Sequence, residues 1–178
     1  MFGPHWEDNF GYQNTMGNLG NGNNFLMDSS KFGIIPKAIE EIFEELAGKS
    51  QQSPELSFTV YCSFLQIYNE KLYDLYQDRE QSKPLIIRED KFSGIFVEGL
   101  SEYVVNSAQD CYVLLKRGEK NRITRQTKGN IHSSRSHTIF QLLIESNQAD
   151  QRGMLFRGKL NLCDLAGSEK IGKEESMD

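Results

Sequence analysis

Two short polar segments carry the residues that could do chemistry in this chain. The first is "DLAGSEKIGK", residues 164–173, in which Asp164 follows an apolar run and Gly167 begins a G-x-x-x-x-G-K spacing that ends in Glu174 instead of Ser or Thr. An aspartate at the end of a buried strand can hold Mg²⁺ directly or through water. A glycine has no Cβ, so its backbone N–H can approach a phosphate closely. The segment predicts a site beside a phosphate; a strand-to-loop turn with surface charges is the alternative.

The second segment is "NIHSSRSH", residues 130–137, directly ahead of an apolar strand pattern. Its hydroxyls could coordinate Mg²⁺ or phosphate oxygens, and Arg135 could neutralise a phosphate or pair with a carboxylate such as Glu169. A solvated polar loop is the alternative for a short Ser/Arg run taken alone. We expect His137, which begins the strand, to pack and to orient the loop and not to transfer protons.

Ahead of these segments, the hydrophobic pattern alternates between helix and strand. A helix is predicted over "GIIPKAIEEIFEELAGK", residues 33–49, with Pro36 in its first turn and Gly48 at its end. A central strand covered on both faces is predicted from "LSFTVYCSFLQI", residues 56–67. A second helix is predicted to begin after Ser107, which can cap it.

Shorter strands complete the predicted fold. "PLIIRED" and "GIFVEGL", residues 84–90 and 94–100, are predicted to form a hairpin. "HTIFQLLIES" and "LFRGKLNLCDL", residues 137–146 and 155–165, are two more strands, and the second is expected to be buried. Its end would deliver Asp164 to the sheet edge where α/β proteins bind ligands. The order of elements predicts an α/β fold with a mixed central sheet flanked by helices.

Composition narrows the class of protein. The 178 residues are 38% hydrophobic and 25% charged with a net charge of −5, which is typical of soluble globular proteins and argues against nucleic-acid binding. Cys62, Cys111 and Cys163 lie far apart among apolar neighbours and are expected to be buried thiols. No signal peptide or apolar run of membrane-spanning length is visible, so we expect a cytoplasmic protein without a membrane partner. Residues 1–32 are rich in Asn and Gly and are expected to be irregular.

Together, the two polar segments resemble the switch I and switch II loops of kinesin motor domains. In that family N-x-x-S-S-R-S-H is followed by D-L-A-G-S-E, as it is here. The resemblance extends in family order through "GIIPKAIEEIFEEL", "FLQIYNEKLYDLY", "IREDKFSGIFVEGL" and "GEKNR". On this resemblance, residues 33–178 are a partial kinesin motor domain, with an α/β fold of the P-loop NTPase type and about half of the family's central sheet.

The resemblance implies ATP and Mg²⁺ as cofactors and gives each loop residue a role. Ser134 and Asp164 would hold Mg²⁺, the latter through water. Arg135 and Glu169 would form the catalytic pair, a closing salt bridge that controls access of the hydrolytic water. The residues implied to contact nucleotide are Asn130, Ser133, Ser134 and Gly167. Loops of this kind sense a phosphate and do not cradle one.

The implied activity is ATP-dependent movement on microtubules, so tubulin is the implied partner and the microtubule cytoskeleton the implied location. Kinesins carry G-Q-T-G-x-G-K-T ahead of a T-M-G segment, but residues 9–18 read "NFGYQNTMGN", without the glycine-lysine core. The family also continues beyond "GSEK" into its microtubule-binding helices. We therefore expect a truncated kinesin-like motor domain, with an open sheet edge that another protein chain could cover.

A non-catalytic function is the alternative. Without the phosphate lysine, the chain could be a kinesin-like module with a structural role on microtubules, or one completed by a partner chain.

Overall fold

The structure, a computed structural model, describes residues 33–78, 82–91, 94–122, 136–149, 153 and 155–167. In chain order its elements are α1 (Ile34–Gln52), β1 (Phe58–Tyr68), β2 (Lys71–Asp74), β3 (Ile86–Asp90), β4 (Gly94–Glu98), β5 (Tyr103–Val105), α2 (Ala108–Asn121), β6 (His137–Ala149) and β7 (Leu155–Asp164). The irregular segment predicted for residues 1–32 lies outside the described residues. Neither described helix is both long and apolar enough to span a membrane.

Helix α1 begins as the sequence predicts. Pro36 lies in its first turn, where a missing backbone N–H leaves no hydrogen bond unmade. Ile35 and Ile39 are buried on its apolar face. These two positions are four residues apart, so they lie on one face of the helix.

The predicted end of α1 at Gly48 is wrong, because the helix continues to Gln52. A glycine weakens a helix only modestly, so it does not have to end one. The end is set further along, where Ser53 is extended (φ −136°, ψ 91°) and precedes Pro54. A proline disfavours the helical conformation of the residue before it, and this was the stronger stop signal.

The larger sheet has the strand order β2-β1-β6-β7, and β5 also pairs with β1. Strands β1 and β2 are antiparallel and joined by a two-residue turn, in which Asn69 and Glu70 have φ of 50° and 60°. Both central residues of this tight hairpin turn thus adopt the left-handed conformation. The sequence does not predict this turn, because a glycine usually marks a left-handed hairpin turn and Asn69–Glu70 contains none.

Side-chain bonds show that β6 runs antiparallel to both of its neighbours. In the bonded pairs, the residue number on β6 falls as the residue number on β1 or on β7 rises. The bonded pairs are Ser57 with Asn147, Ser63 with Gln141 and Gln66 with Ser136 on the β1 side, and Arg157 with Glu145 and Asn161 with Gln141 on the β7 side.

Strand β7 differs from its prediction as a buried strand. Its residues from Leu155 to Lys159 are exposed, and only the stretch Leu162–Asp164 is half-buried throughout. The physical reason is its place at the end of the strand order, where no further described strand pairs with it. An apolar sequence alone cannot tell an interior strand from one at the edge of a sheet.

The predicted hairpin of β3 and β4 is confirmed as a separate two-stranded antiparallel sheet. Its register places Arg88 opposite Phe96 and next to Glu98, with which it forms an exposed ion pair at 3.0 Å.

Helix α2 has the predicted cap. The Ser107 hydroxyl accepts a hydrogen bond from the Asp110 N–H at 3.2 Å, and the Asp110 carboxylate accepts one from the Asn106 N–H at 2.9 Å. This reciprocal pair satisfies N–H groups that a helix start leaves without partners.

The described residues divide into two compact units, and several strands pass from one to the other. The buried apolar residues of the first unit are Ile35, Ile39, Val60, Val105, Cys111, Tyr112 and Leu115. Those of the second are Cys62, Phe64, Leu65, Leu75, Tyr76, Phe140 and Leu142. The prediction of buried thiols is confirmed for Cys62 and Cys111, whereas Cys163 is only half-buried.

Candidate functional site

The candidate site is built around Asp164, the last residue of β7. Its Oδ2 accepts a hydrogen bond from Nη1 of Arg122 at 3.2 Å, and the two side chains are 29% and 11% exposed. A charge-assisted bond in this partly dry setting is stronger than an ion pair in open solvent. The Arg122 guanidinium therefore fixes the carboxylate at the end of the strand.

Arg122 is itself held at the end of α2. Its Nη1 lies 3.7 Å from the carboxylate of Glu119, one turn earlier. The preceding residue, Asn121, donates from Nδ2 to the carbonyls of Leu75 and Gln77 at 2.9 and 3.2 Å. These bonds anchor the helix end, so that the guanidinium reaches Asp164 from a fixed base.

The backbone after Asp164 is fixed by His137. The Ala166 N–H donates to Nδ1 of His137 at 3.1 Å, so this nitrogen is unprotonated and a neutral ring carries its proton on Nε2. The loop that His137 was expected to orient lies outside the described residues, so that expectation stays a prediction; the described bond holds the loop that follows Asp164 instead.

Ser136 anchors the start of β6 on its other side. It is fully buried, and its Oγ accepts a hydrogen bond from Nε2 of Gln66 at 2.8 Å. Adjacent residues thus make two different connections: Ser136 bonds to β1, and His137 bonds to the loop after β7.

Two of the predicted site residues are described. Asp164 has its carboxylate at the end of β7, and Gly167 is exposed three positions later. The others lie outside the described residues: Asn130, Ser133, Ser134, Arg135 and Glu169. The Arg135–Glu169 salt bridge accordingly stays a prediction.

In the described part of the site, the Asp164 carboxylate is a group that could hold Mg²⁺. In the described residues, no group of three or more His, Cys, Asp or Glu side chains converges on one point. Mg²⁺ keeps several of its waters and commonly takes one or two carboxylates together with substrate phosphates. One fixed carboxylate, Asp164, is consistent with that coordination preference.

Sequence reasoning missed Arg122 and Gln66. Arg122 is the last residue of "GEKNR", a segment that the sequence marks only by its resemblance to the family. Its partner, Asp164, lies 42 residues further along the chain. Gln66 interrupts the apolar residues of a strand that is predicted to be covered on both faces. A buried amide needs a hydrogen-bond partner, and this need was the signal in the sequence.

Comparisons with known proteins show the family of this chain. The model of the kinesin motor domain family matches residues 11–178. The chain is 42% identical to kinesin-related protein 5 of Dictyostelium discoideum over 176 residues, and 40% identical to the kinesin heavy chain of Syncephalastrum racemosum over 172 residues. Each alignment covers 92% of this chain, which spans only 17% and 18% of the length of these relatives.

The fold has a matching solved structure. A KIF14 segment with ADP, in complex with a microtubule, superimposes with a TM-score of 0.71 at 37% identity. The match covers 79% of this chain and 41% of that one. The chain therefore belongs to the kinesin motor domain family and is a partial motor domain.

Proposed function

We propose that this chain carries the phosphate-sensing loops of a kinesin-type ATPase. The observation that supports the proposal is the fixed arrangement at the end of β7, where Arg122 holds the Asp164 carboxylate and His137 holds the Ala166 N–H. The next residue after this clamp is Gly167, which is exposed. A loop held at one end and free to donate an N–H beyond it is suited to report the presence of a terminal phosphate.

The proposed chemistry divides among the loop residues. Asp164 would hold Mg²⁺ through water, and Ser134 would supply an oxygen ligand. Mg²⁺, when bound, would neutralise phosphate charge. Asn130, Ser133 and Gly167 would contact the terminal phosphate, while a salt bridge between Arg135 and Glu169 would control access of the attacking water. This assignment rests on the family motif.

The wider role that we propose follows from the family. The residues work within an ATP-dependent microtubule motor, so tubulin is the proposed partner and the cytoplasmic microtubule array the proposed location. The structural relative in complex with a microtubule supports this proposal.

A titration of a fluorescent ATP analogue into the 178-residue chain, with and without Mg²⁺, tests the proposal. We expect binding that requires Mg²⁺ and that Asp164→Ala weakens by about tenfold or more. Glu89→Ala is the matched control, since Glu89 is an exposed carboxylate in the separate two-stranded sheet. Binding that is equally strong without Mg²⁺, or unchanged in Asp164→Ala, would contradict the proposal.

A second candidate function is a non-catalytic kinesin-like module on microtubules. It is favoured by residues 9–18, "NFGYQNTMGN", which lack the lysine of a phosphate-binding loop. Losing about four charge-assisted hydrogen bonds would remove on the order of 6 kcal/mol of nucleotide binding. Co-sedimentation with microtubules that is the same with and without nucleotide, combined with no nucleotide binding up to millimolar concentration, would select this candidate.

A partner chain could complete such a module. Among the described strands, none pairs with the outer edge of β7, and Leu155 and Phe156 are exposed there. An edge of this kind is a template for strand addition.

A further inference from the structure

We infer that Gln66, near the end of β1, is a positioning residue for the loop that follows Asp164. Its Nε2 donates to Oγ of Ser136 at 2.8 Å, and both residues are fully buried. The next residue, His137, accepts the Ala166 N–H on its ring. Gln66 thereby fixes the Ser136–His137 dipeptide, and through it the backbone two positions after Asp164.

Packing of β1 alone does not explain an amide at this position. Side chains alternate along a strand, so Gln66 shares a face with Val60, Cys62 and Phe64, all of which are buried. An apolar residue would continue that face without the desolvation of an amide group. The amide is accounted for by what it holds, which is the buried hydroxyl of Ser136.

Gln66 also belongs to a polar cluster that supports the site from behind. A small cavity of about 40 Å³ is lined by Gln66, Tyr73, Asp74, Leu75, Gln77, Ser82 and Asn121. Asp74 accepts hydrogen bonds from the N–H groups of Tyr76 and Ser101 at 2.8 and 2.9 Å, which fix its carboxylate. Asn121 fixes the helix end that carries Arg122.

Two contacts hold the loop after Asp164, and the residues that support them, Asn121 and Gln66, line the same cavity. Arg122 reaches the loop through the carboxylate, and His137 reaches it through the Ala166 N–H. Asn121 supports the first, and Gln66 supports the second. Gln66 lies behind Ser136 and acts on the loop only through its neighbours.

The functional meaning of this inference rests on the proposed phosphate-sensing role of the loop. A loop that reports a phosphate must return its N–H groups to the same place in each cycle. The fixed Ser136–His137 dipeptide provides that reference position. The contact itself can be tested without any nucleotide, so a failure of the proposed function leaves the test valid.

The test compares amide hydrogen exchange by NMR in the 178-residue chain and its variants. Gln66→Met keeps the length of the side chain and removes the hydrogen bond. We expect the Ala166 amide to exchange about fivefold faster or more in this variant, as the loss of one net hydrogen bond would give. The ring nitrogen shift of His137 should move with it. Ser63→Ala is the matched control, because Ser63 bonds to Gln141 and so joins the same two strands at 3.1 Å.

Ser136→Ala tests the same bond from its other end and keeps the inference testable if Gln66→Met fails to fold. The acceleration at Ala166 in the double variant is expected to be smaller than the product of the two single accelerations, because the two substitutions share one interaction. Unchanged Ala166 exchange in Gln66→Met or in Ser136→Ala, with urea midpoints showing a folded chain, would overturn the inference. Equal acceleration in Ser63→Ala would also overturn it, since general loss of stability would then explain the effect.

Discussion

At the scale of single residues, the pair of Arg122 and Asp164 determines what the site can do. A carboxylate at the end of an edge strand would otherwise be free to rotate into solvent. The guanidinium restricts that freedom through a bond to Oδ2 at 3.2 Å. Electrostatic preorganisation of this kind spares the site a rearrangement when a cation arrives.

Replacing Arg122 with Met should both destabilise the chain and loosen the site. Arg122 is only 11% exposed, so its loss leaves the Asp164 carboxylate partly buried without its partner. We expect a loss of about 1.5–3 kcal/mol in the free energy of unfolding, measured by urea titration.

Arg157→Met is the matched control for this prediction. Arg157 pairs with Glu145 at 2.8 Å, but it is 59% exposed. An exposed ion pair contributes at most about 1 kcal/mol. Equal losses in the two variants would mean that the Arg122–Asp164 pair is an ordinary surface interaction.

The sequence predicts Asp164 and Gly167 but not Arg122. An aspartate after an apolar run and a nearby glycine are local signals, readable from one segment. The arginine becomes part of the site because the end of α2 and the end of β7 meet in space. No spacing in the chain encodes that meeting, so the fold was needed to find it.

At the scale of elements, one glycine allows α2 to lie against β1. A Cβ added to Gly118 would overlap the ring of Phe64, lying 2.8 Å from Cε1 and closer still to Cδ1. That ring is buried, and it packs edge-on against Phe140 with centroids 5.7 Å apart. It has no room to move aside, so the close approach requires glycine.

Gly118→Ala should therefore destabilise the chain by about 1–3 kcal/mol, the usual effect of overpacking a core. The matched control is Gly48→Ala in α1, where an added Cβ would meet nothing within 4 Å. There we expect stabilisation by about 0.5–1 kcal/mol, because alanine favours the helix. Urea unfolding of both variants measures the contrast, and changes of the same sign would refute the packing argument.

Tyr112 joins α2 to α1 and makes stability depend on pH. Its hydroxyl donates to the Glu40 carboxylate at 2.7 Å and lies 3.3 Å from the Pro36 carbonyl. Burial raises the pKa of the Tyr112 hydroxyl well above its ordinary value of 10.0, and the hydrogen bond to Glu40 raises it further. The folded chain thus keeps a proton that the unfolded chain releases near pH 10.

The sign of the effect follows from this difference. The contribution of Tyr112 is complete below pH 10 and declines as pH rises, because the unfolded state then loses the proton and is favoured. We expect unfolding free energy to fall above that pH by up to about 1.4 kcal/mol per pH unit from this group. Tyr112→Phe should be less stable at neutral pH by about 1 kcal/mol but should lack this slope. Parallel pH profiles of the two proteins, from urea titrations, would refute the assignment.

Element prediction from the sequence succeeded where the signal was local. The cap of α2 follows from Ser107 and Asp110, and the hairpin of β3 and β4 follows from two short apolar runs around a polar turn. It failed at the Asn69–Glu70 turn, whose left-handed residues carry no glycine. Strand β2 is therefore absent from the elements that the sequence predicts.

At the scale of the whole molecule, the sequence resemblance predicts the fold family but not the exposure of each strand. Strand β7 was expected to be buried because it is rich in Leu and Phe. In the structure, Phe156 is 65% exposed. Burial depends on which other segments lie alongside, and that information is not contained in the strand itself.

The exposed edge strand predicts association between chains. Phe156 and Leu155 present apolar surface on β7. At the outer edge of β7, no described strand makes hydrogen bonds with the backbone. We expect the chain to self-associate as its concentration rises, and Phe156→Lys to reduce this, because a charge on an edge strand disfavours pairing. Sedimentation velocity measures the effect, with Val113→Lys as control at an exposed helical position. Self-association that the two variants reduce equally would contradict a role for the β7 edge.

The most direct test of the central claim, that the loop after Asp164 senses a terminal phosphate, is the amide NMR shift of Gly167 in the presence of Mg·ADP and of a Mg-bound ATP analogue. NMR detects weak binding, so the measurement does not require a complete phosphate-binding segment. We expect the Gly167 amide to shift with the ATP analogue and not with ADP. We expect Asp164→Ala to remove this difference between the two nucleotides. The same Gly167 shift with both nucleotides, or no shift with either while other residues respond, would contradict it.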